Sequence, residues 1–169
     1  VVFRSGCLGA GKINPRYAIR LKDGLAYTTP KLNEELYDYY RSETDQMPDR
    51  DLITRAKELS DTAIVFISRC SSEAHEMSLD KGGYYLTDEE QNLIDECCRN
   101  FNKCVVVLNT AYPIEMKWSK SVSAILWTGL CGMAGGRALA EILAGEVNPS
   151  GKLPNTWAYD YYDYPSSDN

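Results

Sequence analysis

"TAIVFISRCSSEAHEMSLDKGGYYLTDEEQNLIDECCRNFNKCVVVLN", residues 62–109, changes its hydrophobic rhythm three times. Its first six residues form a nearly unbroken apolar run of strand length, which predicts a strand buried on both faces of a sheet. Thr87 and Glu90 make a capping box at the start of the next helix, and Leu93, Ile94, Cys97, Cys98 and Phe101 stripe one face of it. "CVVVLN", 104–109, reads as a second buried strand. Between the first strand and the helix stand two glutamates three residues apart, the only histidine of the chain and a glycine pair. Ligands of open α/β sheets bind at the carboxyl ends of the strands. The polar loop after "TAIVFI" is therefore where a site is expected.

The pattern continues on either side. "NPRYAIRLKDGLAY", 14–27, predicts a helix with Asn14 as N-cap, Pro15 in the first turn, and Ala18, Leu21 and Leu25 on one face. "LNEELYDYY", 32–40, predicts a second helix. "DRDLITRAKELS", 49–60, predicts a third, with Leu52, Ile53, Ala56 and Leu59 turned inward. "VSAILW", 122–127, is a further buried strand, and "GGRALAEILAG" is a helix ending at Gly145. The order implies an α/β fold: a three-layer sandwich whose mostly parallel sheet of about five to six strands carries helices on both faces. The tail, "YDYYDYPSSDN", 159–169, is Tyr-rich and then Pro/Ser-rich, and reads as a segment leading to a neighbouring domain.

A chain of 169 residues fits one domain with a real core. Apolar content of 44% and charged content of 25% are ordinary for a globular protein. No apolar run approaches the roughly 18 residues of a membrane span, and no basic region precedes an apolar stretch as in a secretory signal. A net charge of −6, from 24 acids against 18 bases, disfavours nucleic acid as a partner. The six cysteines include no C-x-x-C, and one histidine does not complete the usual metal sites. Neither metal nor cofactor is expected; reduced thiols and a cytoplasmic location are.

"GCLGAGK", 6–12, matches the G-x-x-x-x-G-K of a phosphate-binding loop. That loop needs a Ser or Thr next to hold Mg²⁺, and the next residue is Ile13. Asn14-Pro15 then restarts the backbone where a helix should already run. The stretch reads as a glycine-rich connection.

Four separate segments, "SGCLGAGKINPRY", "SDTAIVFISRCSSEAHEMSLDKGGYYLTDEEQNLI", "CVVVLNTAYPIEMKW" and "VSAILWTGLCGMAGGRALAEILAGEVNPSGKLPNTW", together resemble the α/β-sandwich domain of the family 3 glycoside hydrolases, mainly β-glucosidases. The resemblance runs from about Ser5 to the end, and "GEVNPSGKLPNTW" is its most specific piece. It implies a site shared between two domains of one polypeptide. A (β/α)₈ barrel supplies the aspartate nucleophile, and the sandwich domain supplies the acid/base glutamate on a loop written S-G-E-G-x-D-R. Here the loop reads "SSEAHEM", and Glu73 aligns with that glutamate without a gap. A barrel takes roughly 250 residues, so none fits in this chain. The resemblance thus makes residues 1–158 one sandwich domain of a larger enzyme that acts on β-linked glycosides.

The departures are specific. The glycine after the glutamate is Ala74, and the Asp-Arg pair is Glu76-Met77. The family's turn near G-T-G-S-G is Cys7-Leu8-Gly9-Ala10-Gly11, without its serine. Glu76 is the substitute acid/base candidate. His75, Gly9, Ala10 and Gly11 are candidate substrate contacts. Lys152 is expected in a turn, Trp127 in the core, and Tyr159, Tyr161, Tyr162 and Tyr164 against a neighbouring domain. Two other functions compete: a non-catalytic carbohydrate-binding or supporting domain, and a flavodoxin-like small-molecule binder that would hold phosphate or flavin.

Overall fold

The structure is a computed structural model that describes residues 14–42, 47–71 and 77–167. Its sheet has the strands β1 (Thr62–Arg69), β2 (Lys103–Thr110) and β3 (Ala124–Trp127) in the order β1-β2-β3. Both pairings are parallel, with Val65 opposite Val106 and Val106 opposite Ile125. The helices are α1 (Leu21–Leu25), α2 (Glu34–Arg41), α3 (Arg50–Leu59), α4 (Asp88–Asn100) and α5 (Gly135–Leu143). Short 3₁₀ turns span Lys117–Ser121 and Tyr161–Asp163.

The α/β class and the parallel sheet are as the sequence indicates, but the sheet is smaller. Three strands are present among the described residues, not five to six, and only β2 is central. Along β2 every residue from Val106 to Thr110 is buried. Burial alternates along β1 instead: Val65 and Ile67 are buried, whereas Ile64 is 42% exposed. An apolar run fixes strand length, but it does not say whether a second layer covers both faces. Val65, Ile67, Cys104, Val106 and Leu108 point to one side, where Ile94 of α4, Ile114 and Trp118 complete the main core.

α4 starts as its capping box requires. Thr87 Oγ1 accepts from the Glu90 amide at 3.1 Å, and Glu90 Oε2 accepts from the Thr87 amide at 3.0 Å. In α3, Leu52 and Ala56 are buried as expected and Ile53 half-buried, but Leu59, at the last turn, is 75% exposed. Cys97 and Cys98 are half-buried on α4 and Cys104 is buried in β2, all as free thiols. Burial pushes the Cys97 and Cys104 thiols up to about 12.

The first helix is much shorter than its sequence suggests. Residues 14–20 are not helical, Asn14 caps nothing there, and α1 occupies five residues. The backbone is used elsewhere: the Ile19 amide donates to the Met133 carbonyl at 2.9 Å, and the Ile19 carbonyl accepts from the Gly136 amide at 3.2 Å. α1 thereby lies directly on α5. A Cβ at Gly24 would stand 2.4 Å from the Gly136 carbonyl oxygen, and one at Gly136 would stand 2.3 Å from the Ile19 carbonyl oxygen. Both obstacles are backbone, so neither can rotate away. Gly24→Ala should therefore destabilise the fold by about 1–3 kcal/mol, as overpacking does. Thermal denaturation would check this; Gly151→Ala, which has open space, is the control.

Candidate functional site

The carboxyl ends of the three strands form one edge of the sheet, which buried polar side chains organise. Asn109, 1% exposed at the end of β2, donates from Nδ2 to the Gly129 carbonyl at 2.6 Å. Ser68 Oγ of β1 lies 3.4 Å from both the Asn109 carbonyl and Oδ1. Beyond β3, the Thr128 amide donates to the Leu108 carbonyl at 2.9 Å, and Trp127 Nε1 donates to the Thr110 carbonyl at 3.0 Å. Thr110 Oγ1 is buried without a hydrogen-bond partner among the described residues. Each strand end is thus tied to the next by hydrogen bonds centred on the buried Asn109 and Thr110.

β1 ends in Arg69, 7% exposed, which the sequence reading passed over. Its guanidinium grips Glu90 with two bonds, Nη1 to Oε1 at 2.7 Å and Nη2 to Oε2 at 2.5 Å. Nε donates to the Gly83 carbonyl at 2.9 Å, and Nη1 also donates to the Ser68 carbonyl at 3.0 Å. A charged residue closing an apolar strand was the available signal, since a buried cation requires a partner.

The polar loop is described at its two feet. Cys70 and Ser71 leave β1 half-buried, and Met77 re-enters half-buried. The following turn is compact: the Tyr84 amide donates to the Ser78 carbonyl at 2.8 Å and the Gly83 amide to the Asp80 carbonyl at 3.0 Å. The glycine pair fits this turn. Gly82 has φ +87°, and a Cβ on Gly83 would lie 2.2 Å from the Ser78 oxygen. Glu73, His75 and Glu76 lie outside the described residues, as do Gly9, Ala10 and Gly11.

Two of the tail tyrosines dock on this turn. Tyr161 and Tyr164 pack edge-to-face on Tyr84, with centroids at 5.6 and 6.4 Å. Asp160 accepts from Tyr85 Oη at 2.8 Å and pairs with Lys117. The Lys117 ammonium, helped by the Tyr85 hydroxyl and the Tyr162 amide, holds the Asp160 carboxyl down at about 2. Tyr159 and Tyr162 are exposed. At the β3 edge an open cavity of about 810 Å³ is lined by Leu108, Ile125, Trp127, Leu139, Lys152 and Trp157, among others. Trp127, expected in the core, packs against it half-buried and meets Trp157 edge-to-face at 5.6 Å.

Comparison with known proteins places this arrangement. Residues 5–169 match the glycosyl hydrolase family 3 C-terminal domain. The chain is 36% identical over 190 residues to a beta-glucosidase of Ruminococcus albus, covering 99% of this chain and 20% of that protein. It superposes on a beta-glucosidase from Paenibacillus barengoltzii with a TM-score of 0.88 at 30% identity, over 99% of this chain and 21% of that one. For beta-glucosidase 3B from Thermotoga neapolitana the TM-score is 0.86 at 32% identity, over 96% of this chain and 26% of that one. The chain thus spans about a fifth to a quarter of the length of these relatives. With the family matched over nearly its whole length and the same fold found in both solved beta-glucosidases, this chain belongs to the C-terminal domain family of the family 3 glycosyl hydrolases.

Proposed function

We propose that this chain is the sandwich domain of a retaining β-glycosidase that removes terminal non-reducing β-D-glycosyl units, and that Glu73 is its acid/base. The single observation that carries this reading is the position of the loop. The family match runs through residues 72–77, and the loop springs from the carboxyl end of β1, where a parallel sheet presents ligands. Retaining hydrolysis uses two carboxyl groups about 5–5.5 Å apart; one attacks the anomeric carbon and the other protonates the leaving oxygen, then activates water. In this reading Glu73 is the second carboxyl. The nucleophile belongs to a (β/α)₈ barrel of the same polypeptide, because the relatives are four to five times longer than the matched segment. Glu76 is the substitute acid, and His75 and the Gly9–Gly11 turn line the sugar site. A cytoplasmic location is part of the same proposal.

With one carboxyl missing, residues 1–169 alone should not hydrolyse aryl β-glucosides above background. The intact polypeptide should. The check is a chromogenic assay of both, with circular dichroism to establish that the short form is folded. Turnover by the isolated chain that survives repurification and vanishes in Glu73→Gln would overturn the two-domain division of labour.

A further inference from the structure

Arg69 joins three segments of the chain that are distant in sequence. It ends β1, reaches Gly83 14 residues on and Glu90 21 residues on, and also holds the carbonyl of its own neighbour Ser68. Gly83 lies in the turn by which the chain returns from the polar loop, and Glu90 is the capping residue of α4. Mere adhesion between strand and helix does not need an arginine. An apolar residue of similar volume would hold the two together without desolvating two charges. What the guanidinium adds is direction: a planar fork of donors at fixed angles, with its partners set around it.

We infer that Arg69 is a positioning residue for the acid/base loop, fixing the strand end that leads into it and the turn that follows it relative to α4, with Glu90 as the anchor. The inference rests on the proposed role of Glu73, which follows Arg69 by four residues. Arg69 touches no reacting atom in this scheme. Its contribution is to keep the loop ends at one separation and angle, because small displacements of a proton donor cost disproportionately; a shift of 1 Å can cost roughly 10²-fold.

The test uses the intact polypeptide with aryl β-glucosides of graded leaving-group pKa, in four forms: wild type, Glu73→Gln, Arg69→Lys and Glu90→Gln. Arg69→Lys keeps the charge and loses the fork; Glu90→Gln keeps the shape and loses the charge. Both should lower kcat/KM roughly 10²-fold for poor leaving groups and leave it little changed for good ones, since kcat/KM reports the first half-reaction; kcat on good leaving groups, limited by the second, should fall and be restored by azide. Amide exchange should rise in residues 70–86 and stay unchanged in β2, a readout independent of turnover. Equal losses of kcat/KM for all leaving groups, or losses that merely follow the folded fraction, would mean that the pair is only structural, and the inference fails. If Glu73→Gln shows the leaving-group dependence and the Arg69 and Glu90 variants do not, the inference fails while the role of Glu73 stands. If Glu73→Gln itself shows none, that role falls and the inference falls with it.

Discussion

Glu73→Gln in the intact polypeptide is expected to lower kcat for glycosides with poor leaving groups by about 10²–10⁴-fold, the usual worth of a positioned general acid/base. The amide keeps the size and polarity of the side chain but has no proton to give. An alkoxide leaving from the anomeric carbon needs that proton; a dinitrophenolate does not. The first half-reaction should therefore slow steeply as the leaving group becomes more basic. With an activated substrate it should proceed, and the glycosyl-enzyme should accumulate because no base remains to activate water. Azide needs no general base. It should restore turnover with good leaving groups and give a β-glycosyl azide as product. If Glu73→Gln leaves the rate on poor leaving groups intact and Glu76→Gln abolishes it, the acid stands three residues later. If neither change matters, the loop is a solvated connection and the domain a support.

Ile94→Ala should be the most damaging of the simple core truncations in α4. Ile94 is fully buried and is the only buried residue of that helix. It enters the cluster of Val65, Ile67, Val106, Leu108, Ile114 and Trp118, so its removal opens a cavity between helix and sheet. Truncation of a buried isoleucine costs about 2–5 kcal/mol, since the neighbours relax only in part. In a domain of this size each kcal/mol lowers Tm by about 2–4 °C. Leu93→Ala, on the partly buried margin of the same cluster, should cost less. Equal losses at the two positions would mean that α4 is held by its ends and not by its packing.

The sequence by itself determined what depends on neighbours within a few residues. The capping box at Thr87 and Glu90 follows from local hydrogen bonding, the inward positions Leu52 and Ala56 and the stripe on α4 from the 3.6 period, and the three strand segments from apolar runs of strand length. Parallel pairing of β1 with β2 also followed, because the helix between them supplies the crossover; β2 and β3 pair in parallel across a 3₁₀ turn instead. The candidate acid/base was legible only as a motif: "SSEAHEM" gives an ungapped match for Glu73, but no local rule distinguishes a catalytic loop carboxylate from a solvated one.

What only the tertiary structure decided involves groups far apart in the chain. Residues 14–27 have the apolar spacing of a helix in Ala18, Leu21 and Leu25, yet the Ile19 backbone bonds to Met133 and Gly136 instead. Hydrogen bonds to Met133 and to Gly136 of α5 satisfy the Ile19 donor and acceptor as helical ones would, and close glycine packing is gained as well. Ile64 lies in as apolar a run as Val106, but Ile64 is 42% exposed and Val106 fully buried. Glu90 was visible as a helix cap; its second role, as the anchor of Arg69, was not. A capping box is written within four residues, whereas that ion pair joins positions 21 apart, which only the folded chain brings within hydrogen-bond reach.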